Sequence, residues 1–118
     1  LLNRDGGTGG DATQAAATES AQEGELQWHT QLAPALQDAK ESGTPLFIDF
    51  WATWCKSCHT MEETTFKNPR VKEKLGEFVL LKYQAENPDE PKTKQVMERF
   101  NVIGLPTYVV LSPRDARD

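Results

Sequence analysis

Apolar positions along the chain switch between a helical and a strand-like period, and the switches mark the elements. Over residues 26–41 they fall at Leu26, Leu32, Leu36 and Ala39, with Trp28 and Ala35 close by, a stripe at helical spacing. Pro34 fits only the first turn of such a helix, so the spacing predicts a start between Thr30 and Ala33 and a stop at Ser42-Gly43-Thr44. Leu46–Trp51 follows as a run that is apolar on both faces except at Asp49, the pattern of a central strand covered by helices. Helical spacing returns over residues 55–66 through Met61 and Phe66, breaks at Asn68-Pro69 and resumes for a turn or two over 70–76. Residues 77–85 hold a second buried strand around Phe78-Val79-Leu80-Leu81-Lys82-Tyr83. A turn over 88–91 leads to a charged helix over 92–100 with Val96, Met97 and Phe100 inward. Thr107–Leu111 reads as the next strand, ended by the turn Ser112-Pro113-Arg114-Asp115.

Upstream of this pattern, residues 1–24 are rich in Gly, Ala, Thr, Gln and acidic residues without any hydrophobic period, and read as a flexible linker or tail. They lack the charged start and apolar core of a signal peptide. Residues 25–118 are the expected domain, and 118 residues give room for one domain of ordinary size. A hydrophobic share of 37% and a charged share of 26% are those of a water-soluble globular chain, with no apolar run of the length a bilayer span needs. The formal net charge of −5 disfavours nucleic acid or anionic lipid as the main partner.

The candidate chemistry sits where the first strand ends. Cys55 and Cys58, the only two cysteines, follow Leu46–Trp51 and a short polar break, and a helical pattern begins at once. Free backbone N–H groups and the positive end of the helix dipole stabilise a thiolate there. Two thiols at this spacing can also close a disulfide with little rearrangement, so the pair reads as a dithiol switch. Cys55, at the helix start, is the expected nucleophile, and Cys58, one turn further in, the resolving thiol. A zinc site would need more ligands than His29 and His59 supply. A rival reading remains open: Cys55-Lys56-Ser57-Cys58-His59 also satisfies the Cys-x-x-Cys-His pattern for covalent haem attachment, with Met61, Met97 or His29 as the second axial ligand.

Trp51-Ala52-Thr53-Trp54-Cys55-Lys56-Ser57-Cys58 resembles the active site of the thioredoxin superfamily. The continuation Met61-Glu62-Glu63-Thr64-Thr65-Phe66 through Val71 is similar to one branch of it, the C-terminal domain of the membrane reductase DsbD. Asn101-Val102-Ile103-Gly104-Leu105-Pro106-Thr107 resembles the loop that carries a cis-proline beside the cysteines in that family. The resemblance covers residues 44–112. It implies an α/β, thioredoxin-like fold with a central mixed sheet flanked by helices. The family's fold continues with another strand and a closing helix, for which the twelve residues after Pro106 are too few, so both elements are expected to be missing.

The resemblance also implies roles. Asp49 matches a buried acid that takes the proton of the second cysteine, and a carboxyl in that setting should have a raised pKa. Lys82 aligns with a lysine that pairs with this acid, against the plain alternative of a surface lysine. Glu62, one turn after Cys58 on the same helix face, matches an acid that modulates the thiols, against that of a solvated glutamate. Pro106, with Leu105, Thr107 and Trp54, would form the surface that receives an extended substrate strand. The implied function is thiol–disulfide oxidoreduction with protein thiol or disulfide partners, in the reductive direction, with a membrane-embedded electron donor. The setting would be extracytoplasmic (periplasmic), the domain a monomer tethered to the inner membrane as part of a longer protein; the alternative is a cytoplasmic thioredoxin. No metal or organic cofactor is needed, because the electrons reside in the redox-active Cys55–Cys58 disulfide. A thioredoxin-like module that grips peptides beside Pro106 without turnover is the non-enzymatic alternative.

Overall fold

The computed structural model describes residues 26–114, and the tail over 1–24 lies outside them. Four strands form one sheet: β1 (Trp28–His29), β2 (Leu46–Trp51), β3 (Val79–Gln84) and β4 (Thr107–Leu111), in the order β1-β3-β2-β4. β1 and β2 both run parallel to β3, whereas β4 runs antiparallel to β2, so the sheet is mixed. Helices α1 (Leu32–Ser42), α2 (Lys56–Glu63), α3 (Pro69–Leu75) and α4 (Pro91–Arg99) connect the strands. This is the thioredoxin-like α/β arrangement the motifs imply. Among the described residues no strand or helix follows β4. None of the described helices is long and apolar enough to cross a membrane.

β2 is the spine because its side chains alternate between two covered faces. Leu46, Ile48 and Phe50 point to one face and are fully buried with Ala35 and Ala39 of α1 and Met97 of α4. Each such side chain contributes roughly 1.5–3 kcal/mol by leaving water. Phe47 points to the other face, where an aromatic layer gathers. Its ring stacks on Tyr108 at 5.8 Å and meets Trp28 at 6.2 Å and Phe78 at 6.1 Å. Phe66, from the segment after α2, closes that layer edge-on against Tyr108 and Trp28. Asp49 shares this second face, and the aromatic layer therefore surrounds a carboxyl.

α1 starts at Leu32, within the span that Pro34 predicts, and the apolar positions before it are not helical: Trp28 and His29 form β1, a strand the pattern did not predict, pairing with Leu80 and Leu81. Trp28 lies one helical turn before Leu32, and that spacing mimicked a helix. α2 ends at Glu63 rather than Phe66. Thr60 and Thr64 turn their hydroxyls back onto the carbonyls of Lys56 and Thr60, and Thr64 leaves helical dihedrals at φ −118° and ψ −80°. A short 3-10 turn, Thr65–Lys67, then delivers Phe66 to the aromatic layer. α3 starts at Pro69, close to the turn or two expected over 70–76: the Asn68 side chain accepts the Arg70 N–H at 2.8 Å and Pro69 takes the first position of α3.

Candidate active site

β2 ends at Trp51, and Ala52-Thr53-Trp54 carries the chain into α2, whose N-cap is Cys55. Cys55 and Cys58 are joined by a disulfide with Cα atoms 5.3 Å apart, and both are buried with Ala52 against Trp51 and Leu105. The Cys58 N–H, one of the unpaired donors of the first helical turn, points at Cys55 Sγ at 3.1 Å. Once the pair is reduced, the same donor faces a Cys55 thiolate and strengthens as a charge-assisted bond. Only Cys55 holds this position, since Cys58 lies within the helix.

Asp49, Lys82 and Glu62 form a partly buried ionic cluster. Asp49 on β2 is the register partner of Lys82 on β3, and Lys82 Nζ stands 4.0 Å from Asp49 Oδ2. Lys82 also donates to Glu62, one turn after Cys58 on α2, so three elements meet at one ammonium group. The Trp28 ring lies under the same ammonium at 5.0 Å. Asp49 is only 2% exposed, and burial pushes its pKa from an ordinary 3.8 to about 6, with Lys82 pulling it partly back. Burial likewise lowers the Lys82 pKa, against the attraction of Asp49. Tyr108, opposite Asp49 on β4, is pushed up to about 12 by burial and by the carboxylate beside it. Cys58 and Glu62 lie one turn apart on α2, so the helix that carries the second thiol is tied through Glu62 to Lys82 and, through Lys82, to Asp49.

Of the remaining sequence-predicted residues, Leu105 packs on the cysteines and Trp54 precedes Cys55 in the chain. Trp54 is 58% exposed and its indole Nε1 donates to the Glu86 carbonyl at 2.8 Å. The Leu105–Pro106 peptide is cis, and Leu105 packs against the disulfide. Thr107, half-buried, opens β4 opposite Phe50 and bonds back to the Gly104 carbonyl. His59, the fifth residue of the haem-type pattern, is exposed, and its ring Nε2 lies 2.7 Å from the Thr53 carbonyl oxygen.

The thioredoxin-like family profile matches residues 27–113, three quarters of the molecule and every element just described. The chain belongs to the thioredoxin-like family. The thiol:disulfide interchange protein DsbD of Vibrio cholerae is 37% identical over 78 residues, and that of Photorhabdus laumondii 38% identical over 70. Those stretches are 66% and 59% of this chain but only 13% and 12% of the relatives, so the chain spans a small part of the proteins it matches. Among solved structures, the oxidised C-terminal domain of Neisseria meningitidis DsbD superimposes with a TM-score of 0.62 over 75% of this chain and 80% of that one, at 21% identity. A Thermus thermophilus thioredoxin gives 0.58 over 72% and 63%, at 25% identity. Thiol–disulfide exchange through Cys55 and Cys58 is the chemistry of this thioredoxin-like site.

Reasoning from sequence missed Glu86. Its carboxylate accepts the Thr53 N–H at 2.9 Å, the Thr53 hydroxyl and the Gln84 amide at 2.9 Å. Hydrogen bonds from Gln84 and Thr53 hold its pKa below the usual carboxylate value. A signal was there to read: β2 and β3 are parallel neighbours, so the first residues after β3, Ala85 and Glu86, come out beside the loop after β2. Among the described residues no group of three or more His, Cys, Asp or Glu is arranged to hold a metal ion.

Proposed function

We propose that this domain is a protein-disulfide reductase of the DsbD-like kind, working in an extracytoplasmic compartment. The observation that carries the reading is the Cys55–Cys58 pair at the N-terminus of α2, with a backbone donor on Cys55 Sγ; the buried Asp49 carboxyl, whose pKa is raised to about 6, supports a proton-acceptor role for it. In the reduced domain the Cys55 thiolate attacks one sulfur of a partner disulfide, forming a mixed disulfide and releasing the partner's other sulfur as a thiolate. Asp49 takes the proton of Cys58, and the Cys58 thiolate then attacks Cys55 Sγ. The Cys55–Cys58 disulfide closes and the second partner sulfur leaves, so two electrons have passed to the partner. A donor dithiol, for which a membrane-embedded partner is the proposal, restores the pair. Lys82 and Glu62 act on Asp49, and Trp54, Leu105, Pro106 and Thr107 receive the partner segment.

Equilibration of the protein in glutathione and dithiothreitol series, read by thiol alkylation and mass, tests this. A single two-electron transition below about −220 mV, absent in Cys55→Ser, is expected of a reductase. A midpoint near −120 mV, that of a strong oxidant, or a pair that never closes, sinks the reading.

A further inference from the structure

Thr53 is held at every polar atom, and by two different elements. Its backbone N–H and its hydroxyl donate to the Glu86 carboxylate, from the connection between β3 and α4. Its carbonyl oxygen meets the ring Nε2 of His59 at 2.7 Å, from α2. The next residue is tied to the same place, since the Trp54 indole donates to the backbone carbonyl of Glu86 at 2.8 Å. Ala85 N–H, one residue earlier, closes the last rung onto the Trp51 carbonyl at 2.7 Å. The end of β2 at Trp51 and two positions of the loop after it, Thr53 and Trp54, are therefore latched to residues 85 and 86, and the residue after Trp54 is the nucleophile.

The latch orders a loop that is otherwise open to solvent. Glu86 is exposed, so water could solvate its carboxylate, and an exposed loop tied on both sides loses conformational freedom. What the arrangement fixes is the pose of Trp54, a large indole left 58% exposed beside a buried disulfide. An aromatic side chain that meets a partner with its orientation already set spares the complex the entropy of ordering it. We propose that Glu86 is a positioning residue of this site, holding Thr53 and Trp54 in the pose that meets the partner while leaving the electron-transfer chemistry of the cysteines to other groups. The carboxylate is anionic at neutral pH, and its acceptor bonds to an N–H and a hydroxyl are of the stronger, charge-assisted type.

The assignment rests on reading Cys55–Cys58 as the exchanging pair, and the experiment separates the two. Reduction of insulin disulfides by the full chain, with dithiothreitol as electron source, is compared for wild type, Glu86→Ala and Glu86→Gln. The redox equilibrium with glutathione and the Trp54 indole N–H resonance are recorded for each. Glu86→Ala should raise KM on the order of fivefold, the scale of one lost hydrogen bond, with kcat and the redox equilibrium within about twofold of wild type. Its Trp54 resonance should broaden, and Glu86→Gln, which keeps one acceptor oxygen, should recover most of the lost KM. An unchanged KM, or a redox equilibrium that moves by the same factor as KM, overturns the proposal. Should Glu86→Ala unfold, Thr53→Val, lacking only the hydroxyl donor, carries the test with the same readouts. Wild type inactive on insulin counts against the reductase; the Trp54 resonance still decides on Glu86, and an unchanged line in Glu86→Ala overturns its role.

Discussion

Replacing Asp49 by asparagine should stabilise the folded domain at neutral pH and leave it unaltered in acid. A carboxyl raised from 3.8 to about 6 by burial holds its proton more tightly in the folded than in the unfolded chain. Below about pH 4 both states are protonated and the site contributes no difference. Between about pH 4 and 6 the unfolded chain has released the proton and the folded one has not, so stability falls as pH rises, by ~1.4 kcal/mol per unit. Above pH 6 both are ionised and the full penalty stands. A rise of roughly two units corresponds to about 3 kcal/mol, and at 2% exposure there is little solvent to screen it. Asparagine has the shape of the protonated acid and does not titrate. Urea unfolding of oxidised wild type and Asp49→Asn between pH 4 and 8 should therefore show a gain that grows from near zero to about 3 kcal/mol. Other titrating groups are common to both proteins and cancel in the difference. A gain that is constant across pH, or largest in acid, refutes the placement of a raised carboxyl at this site.

Three further outcomes follow from the same face of the sheet. Lys82→Met removes the charge that pulls Asp49 back, so the carboxyl should titrate above 6 and the loss of stability should extend to higher pH. Urea midpoints at pH 5 and 8 should lie further apart than in wild type, and the widening should vanish when Asp49→Asn is added. Phe47→Ala opens the aromatic layer at three ring contacts and should cost about 2–3 kcal/mol, the low end for phenylalanine because the ring is half-buried. Val110→Ala, at an exposed position beside Phe47 in the ladder, should change thermal stability by less than about 0.5 kcal/mol.

How legible each part was depends on how local its cause is. β2 and β4 have the bounds expected of them because each is an apolar run with turn-forming residues on both sides. The helix start at Leu32 was legible from Pro34, which tolerates only the first turn. β1 was not, since two residues become a strand only through the edge that β3 offers them. The early end of α2 depends on two threonine hydroxyls choosing their own helix carbonyls, a choice that composition does not reveal. At the site, the cysteine pair announced itself by spacing. Lys82 beside Asp49 needed the register of the β2–β3 ladder, which places the two opposite one another. Glu86 needed more: the knowledge that the two parallel strands end side by side, since 33 residues separate it from Thr53 along the chain.

Asp49 also has a part before the domain is folded. Leu46–Trp51 is the most buried of the described strands, and its pairing partners arrive late: Val79 opposite Leu46 on one side, Leu111 on the other. While the chain emerges, that hexapeptide is an unpaired, β-prone segment of the kind that self-associates, and long-range pairing of this sort closes slowly. In the open chain Asp49 returns to its ordinary acidity and carries a full negative charge in the middle of the segment. The carboxyl that weighs against the finished fold thus puts a charge in the middle of the central strand for as long as its neighbours are unmade, where a charge opposes strand-to-strand association.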